Sequence, residues 1–236
     1  MYAAASGMAA QQQNLDVVAD NLANADVAGF KAAQATFAPI GPNALLGTAS
    51  TGVRENVAQG KLERSGGAFD VALDGPGFFV VERDGLRGYT RAGSFSRAAD
   101  GSLRNGQGWQ LRGARIPANA QTVTVAEDGA VSVDAGMRSQ HLAGRIEVAA
   151  FNAPESVRPL DATVFAATPA SGPARPIALG GDRHTKIAFG MLEKSNVSIV
   201  ESMMAILAAQ RAYEANAKGV QAADEMLRIA NNLHRS

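Results

Sequence analysis

From Asn196 to Ser236 the chain has no proline and one glycine, Gly219, so a single long helix is the structure that suits this run of about forty residues. Ser198-Ile199-Val200-Glu201 has the form of a capping box. Ser198 is placed to accept from the amide three residues on and Glu201 to reach back, which sets the helix start at Ile199. Beyond it Ile199, Ile206, Tyr213, Val220 and Leu227 recur every seven residues, with Met203, Ala217 and the flanking Leu207, Met226 and Leu233 widening the stripe. Glu214 with Lys218 and Asp224 with Arg228 are acid-first pairs four apart on the remaining surface, each expected to contribute roughly 0.2–0.5 kcal/mol. At 1.5 Å per residue, a helix from Ile199 to Leu233 spans about 50 Å, more than the core of a small domain covers. Such a helix needs a partner helix or a neighbouring subunit.

The other end repeats the theme. Met1, Ala4, Met8, Gln11, Leu15, Val18, Leu22 and Ala25 alternate three and four apart, the seam spacing of a coiled coil, with Gln11 its one polar member. A helix over roughly residues 3–25, ending by Gly29, is expected. The pattern leaves open whether it packs on a globular core or pairs in a coiled coil. No Lys or Arg precedes Lys31, while Asp16, Asp20 and Asp26 are acidic, so this start does not read as a cleavable secretory signal. No window approaches the roughly eighteen apolar residues of a membrane span.

Backbone punctuation is confined to the middle, where all nine prolines lie, between Pro39 and Pro176. The apolar runs there are short and rich in strand formers: Phe69 to Leu73, Phe78 to Val81, Thr122 to Val125, Ala130 to Val133 and Ile146 to Phe151. Asp74-Gly75, Asp84-Gly85, Asp100-Gly101, Asn105-Gly106 and Asp128-Gly129 supply the positive φ of tight hairpins, and together they imply a meander of antiparallel strands. Pro39 to Thr51 reads as a connector, and Asn152 to Arg183, with its prolines, as extended edge segments or loops. The fold class is therefore α+β. Long N- and C-terminal helices form a coiled-coil-like pair around an inserted antiparallel all-β domain, divided as residues 1–35, 36–60, 61–189 and 190–236.

Residues able to carry chemistry are sparse. The 22 basic and 22 acidic residues balance, which argues against a nucleic-acid partner, and the absence of cysteine excludes disulfides and thiolate metal sites. His141, His184 and His234 stand far apart without ligands at metal-binding spacing. Gly75-Pro76-Gly77 and Gly106-Gln107-Gly108 do not continue into nucleotide loops, and Gly93-Ser94-Phe95 is not a nucleophile elbow. Tyr89, Trp109 and Phe78-Phe79 fit a β core better than a ligand platform. No catalytic residue, cofactor, metal or small-molecule substrate is expected, and the chain reads as structural.

The ends carry longer motifs. Ser6-Gly7-Met8, Asn21-Leu22-Ala23-Asn24-Ala25 and Gly29-Phe30-Lys31 resemble the N-terminal signature of the axial proteins of the bacterial flagellum. Leu192-Glu193-Lys194-Ser195-Asn196-Val197, Gln210-Arg211-Ala212-Tyr213-Glu214 and Asp224-Glu225-Met226 match at the C-terminus. Asp70 to Leu73, Gly77-Phe78-Phe79, Tyr89 to Phe95 and Gly101-Ser102-Leu103 are similar to the rod and hook group, so the resemblance covers nearly the whole chain. Val27-Ala28 stand where that family usually has Thr-Pro, which removes a proline stop and suggests a slightly longer first helix. The short stretch from Thr36 to Gly60 looks like a proximal rod protein, while the C-terminal helix with its Gln210 to Glu214 run looks at least as much like a distal one; the proximal type is favoured, with the distal as the alternative. The short stretch leaves no room for the outer domain of a hook protein.

The resemblance implies a mechanical subunit. Copies stack helically with the terminal helices lining a tube and the β domains outside it, in contact with other flagellar rod proteins. Each copy reaches the periplasm-spanning rod of the basal body through the flagellar export apparatus, without a cleavable signal. The assembly residues it implies are Met8, Leu15, Val18, Asn21, Leu22, Asn24, Gly29 and Phe30 at one end. At the other they are Ser195, Asn196, Val197, Ile199, Met203, Ile206, Gln210, Arg211, Tyr213, Val220 and Leu227. A secreted coiled-coil adaptor would keep both helical stripes without needing the β-domain match. A wall-cutting enzyme would need extra length and a placed carboxylate pair, and neither is evident.

Overall fold

The computed structural model describes residues 2–39, 48–134, 140–180 and 185–233, with the side chains of 2–4, 140, 227 and 230–233 left out. Met1, His184, His234, the residues 40–47 inside the expected connector, and the Leu227 and Leu233 side chains of the expected stripe thus lie outside the described residues. The chain forms two compact units. One contains residues 1–23, 33–56 and 197–236, the other residues 24–32 and 57–196.

The first unit is built on two helices, α1 (Tyr2–Ala23) and α2 (Ile199–Leu233). The amide of Glu201 donates to Ser198 Oγ at 3.3 Å, which caps α2 at the expected place. Of the two expected surface pairs on α2, Arg228 instead pairs with Glu225 at 3.5 Å, and Glu214 and Lys218 do not meet. Strands β1 (Ala33–Pro39) and β2 (Thr48–Glu55) pair antiparallel over their whole length, so much of the expected connector is ordered as a hairpin. The hairpin lies on α1, where Ser6 Oγ accepts from the Thr48 amide at 3.2 Å. At its other end Asn21 is doubly bonded to Ala33, accepting from its N and donating to its O, each at 2.7 Å. Beside that contact Glu55, across the sheet from Ala33, is buried. Burial pushes its carboxyl up to about 7, and the charge of Asp20 adds to the effect.

The second unit is an antiparallel β structure. Its main sheet runs in the order Thr122–Val125, Ala130–Asp134, Gln140–Arg145, Gln110–Arg115, Phe78–Arg83, Leu86–Thr90, Val164–Ala166, Arg158–Asp161. Phe78–Arg83 alternates between two cores: Phe79 and Val81 join Trp109, Leu111 and Val131 on one face, while Phe78 and Val80 join Tyr89, Phe151 and Phe165 on the other. The aromatic residues are thus core.

The turns only partly follow the expected meander. Asp84-Gly85 is a two-residue hairpin turn with φ of 51° and 78°. Asp74-Gly75 is no hairpin turn, because Val71–Asp74 pairs with the distant Lys186–Phe189. At Asn105-Gly106 the positive φ falls on Gly108 instead, in a longer loop pinned by Asn105 Oδ1, which accepts from the amides of Gln107 and Trp109. Leu62–Arg64 likewise pairs with Met191–Glu193, so sequence-distant ends close this unit.

Candidate assembly site

The motif residues that flank the helices converge within the β unit. The turn after α1 is closed by Val27 N donating to Asn24 O and Phe30 N to Val27 O, so the first helix stops at Ala23. The expected extension past a missing proline does not occur. Gly29 takes φ of 72°, and a Cβ there would sit 2.2 Å from the Ala92 nitrogen, so only glycine fits. Its amide donates to the backbone oxygen of Glu193 at 2.7 Å. Phe30 is buried.

Lys31 follows, and with it a buried charge cluster. Its Nζ bonds Glu193 Oε1 at 2.5 Å and the Ala58 carbonyl at 2.7 Å, and both charged side chains are fully buried. Arg91 approaches the other Glu193 oxygen at 3.3 Å and donates to the carbonyls of Leu73 and Gly75. The Gly60 amide also donates to Glu193 Oε1, at 2.8 Å. Asn196 completes the clamp: Oδ1 accepts from Ala32 N at 2.8 Å and Nδ2 donates to Ala58 O at 2.9 Å. Desolvation lowers the Lys31 pKa, opposed by Glu193, and lowers that of Arg91 in the same way. A pair this dry adds little net stability when complete. Removing one member leaves a buried charge uncompensated, which costs about 3–5 kcal/mol.

The helices present two different faces. Gly7 lies against Asn216, whose Nδ2 would be 3.2 Å from a Cβ at position 7, and α1 packs along α2. With Ala32 bonded to Asn196 where α1 has ended and α2 is about to begin, the helices run antiparallel. On α2 the covered positions are Ser202, Ala205, Ala209, Ala212, Asn216, Val220 and Ala223, a seam of mostly small residues at three- and four-residue spacing. The expected stripe does not coincide with it. Of its members Val220 lies in the seam and Ile206 is half-buried at the edge, but Ile199, Met203 and Tyr213 are exposed, as are Gln210 and Arg211. Small side chains let two helices approach closely, so the larger ones are left outside. On α1, Met8, Leu15, Val18 and Leu22 are half-buried, as are Ser195 and Val197 before α2.

Three family sequence profiles match in chain order: flagella basal body rod protein over residues 1–31, flagellar hook protein FlgE/F/G D1 domain over 72–133, and flagellar basal body rod FlgEFG protein C-terminal over 189–233. The flagellar basal-body rod protein FlgG of Borreliella burgdorferi is 34% identical over 100% of this chain and 98% of its own length. That decides the family. The chain belongs to the flagellar basal-body rod proteins. FlgG of Agrobacterium fabrum is 35% identical over 97% of this chain and 96% of its own, and FlgF of Caulobacter vibrioides 32% over 98% and 95%. As a rod protein it is a structural subunit of the basal body, not an enzyme, and it assembles with other flagellar rod components.

Within that rod-protein framework the structure gathers Gly29, Phe30 and Asn196 into one clamp and leaves Asn21 on the hairpin contact. Lys31, Arg91 and Glu193 do the clamping and are absent from the assembly residues read from the sequence. Their one signal is that Lys31 and Arg91 are each a charge inside an otherwise uncharged motif, while Glu193 stands beside a second charge, Lys194.

Proposed function

We propose that this rod protein polymerises helically through α1 and α2 into the shaft that transmits torque and encloses part of the export channel. The observation that carries the reading is the outer face of α2. Val200, Met203, Met204 and Leu207 are 67%, 53%, 57% and 58% exposed over two turns of one helix. Burying them between subunits returns ~25 cal/mol per Å² of apolar surface. In this reading Met8, Leu15, Val18, Leu22, Ile206 and Val220 serve a coiled-coil-like contact within each copy, and Ile199, Met203 and Tyr213 serve contacts between copies. Delivery through the flagellar export apparatus belongs to the same reading, supported by the cysteine-free composition.

The test is electron microscopy of the concentrated full chain beside Met203→Asp. The unaltered protein should form long rods, whereas Met203→Asp should stay small and keep the thermal transition of the β unit. An unaltered protein that remains a monomer or dimer at every concentration would be an adaptor instead.

A further inference from the structure

The face of the main sheet that carries Phe78 and Val80 also holds a trough of about 400 Å³. Val80, Tyr89 and Ala149 of the aromatic core line it together with Ala174, Pro176 and Ile177, so most of its wall is apolar. All of its described lining residues belong to the β unit. Three charged side chains complete the lining, and two of them are already matched: Arg145 bonds Asp128 at 3.0 Å, and Glu147 lies 3.4 Å from Arg112. The third, Arg87, has no side-chain hydrogen bond or ion pair among the described residues, and Glu82, its cross-strand neighbour, bonds Arg112 instead. Tyr89 stands two residues along the same strand and therefore on the same face. It is only 8% exposed and its ring is fixed edge-on to Phe151, with centroids 4.8 Å apart. Yet its hydroxyl has no hydrogen-bond partner among the described residues.

We propose that the trough binds a small carboxylate with an apolar body, the chemistry of a medium-chain fatty acid. The carboxylate accepts from the Arg87 guanidinium and the Tyr89 hydroxyl, and the body lies against Val80, Ala149, Ala174 and Ile177. The charges select an anion, since Arg145 and Glu147 cancel and Arg87 leaves the lining with a positive excess. The hydroxyl selects an acceptor, because a phenol this deeply buried is destabilising unless its donor finds one. An ionised acceptor strengthens both bonds. The volume equals that of roughly a dozen waters in the liquid and stands at the small end of ligand sites, which suits such a chain better than a large cofactor. A polypeptide is the poorer fit. Phe78–Arg83 is paired along both edges, and Val148–Ala150 lies between it and Arg175–Pro176, so neither strand offers an open edge for a peptide to extend.

Isothermal calorimetry on the full chain, kept dilute, tests this with sodium decanoate as the probe. Saturable binding of one decanoate per chain is expected, and decanol, which keeps the body but lacks the charge, should bind roughly tenfold more weakly or worse. Arg87→Gln should weaken decanoate by roughly tenfold or more while leaving decanol where it was, because the substitution removes only the charged donor. Tyr89→Phe keeps the ring on Phe151 and removes one hydrogen bond, so it should weaken decanoate by about threefold to tenfold. Both variants should keep the thermal transition of the β unit, which separates lost binding from lost folding. The proposal is overturned if the unaltered chain shows no saturable binding, if decanol binds as tightly as decanoate, or if Arg87→Gln leaves decanoate affinity unchanged.

Discussion

The β unit buries what is costly and the helical unit exposes what is sticky. In the first, three charged groups from distant parts of the chain sit in the dry interior with each Glu193 oxygen occupied. In the second, Ile199, Val200, Met203, Met204 and Leu207 stand in solvent while alanines take the covered positions. The difference separates two kinds of incompleteness. The charge cluster of the β unit is paired within one copy, with Arg91 Nε its one buried atom left without a hydrogen bond among the described residues. The helical unit leaves a large apolar face of α2 uncovered.

The largest effect that would sharpen this contrast is expected at Glu193. Replacing it with alanine leaves Lys31 and Arg91 facing each other in a buried space, at a cost of about 3–5 kcal/mol. The melting temperature of the β unit should fall by on the order of 10 °C. A shift of only a degree or two by calorimetry would show that the cluster is not dry. Next in size is Ala209→Leu, which puts a large side chain into the small-residue seam and should cost the helix pair about 1–3 kcal/mol. The loss should appear in the helical circular dichroism with the β transition in place. If the β transition moved equally, the two units would not be energetically separate.

The smallest effect concerns pH. Folding holds the Glu55 carboxyl up to about 7 from the ordinary 4.5, so the folded state binds the proton more tightly than the unfolded one. The resulting stability is fully present below the ordinary value and is lost as pH rises through 7. Glu55→Gln should flatten that slope in the helical unit between pH 5 and 7, read by thermal melts across the range. An unchanged slope would place the titrating group elsewhere.

The boundaries of α2 were legible in the sequence because they are local, whereas α1 stops at Ala23, short of the expected extension. Ser198 caps α2 where expected, and the helix runs from Ile199 to Leu233 as its unbroken periodicity indicates. The face was not. Periodicity weighs large residues most, and Ile199, Tyr213 and their neighbours are a real stripe, but the chain uses Ser202, Ala205 and Ala209 for its own contact. The hairpin of β1 and β2 was hidden by the proline and glycine between its strands, which read as a connector. The pairing of Val71–Asp74 with Lys186–Phe189 was hidden by distance, and Asp74-Gly75 accordingly looked like a hairpin turn. The clamp had no periodic signal at all, since Lys31, Arg91 and Glu193 meet only once the β unit has closed.

That closure sets a schedule. Lys31 and Glu193 are 162 residues apart, and the strand that pairs with Val71–Asp74 is made only shortly before Glu193. At a synthesis rate of roughly 5–20 residues per second, about 8–30 s pass between the appearance of the lysine and that of its partner. For all of that time the nascent chain cannot lock. Contacts of such long separation are also slow to find after release, because the loop they close must be ordered before they reward it. A subunit built this way stays threadable for longer than one with local contacts, and becomes rigid only when its last strands are in place.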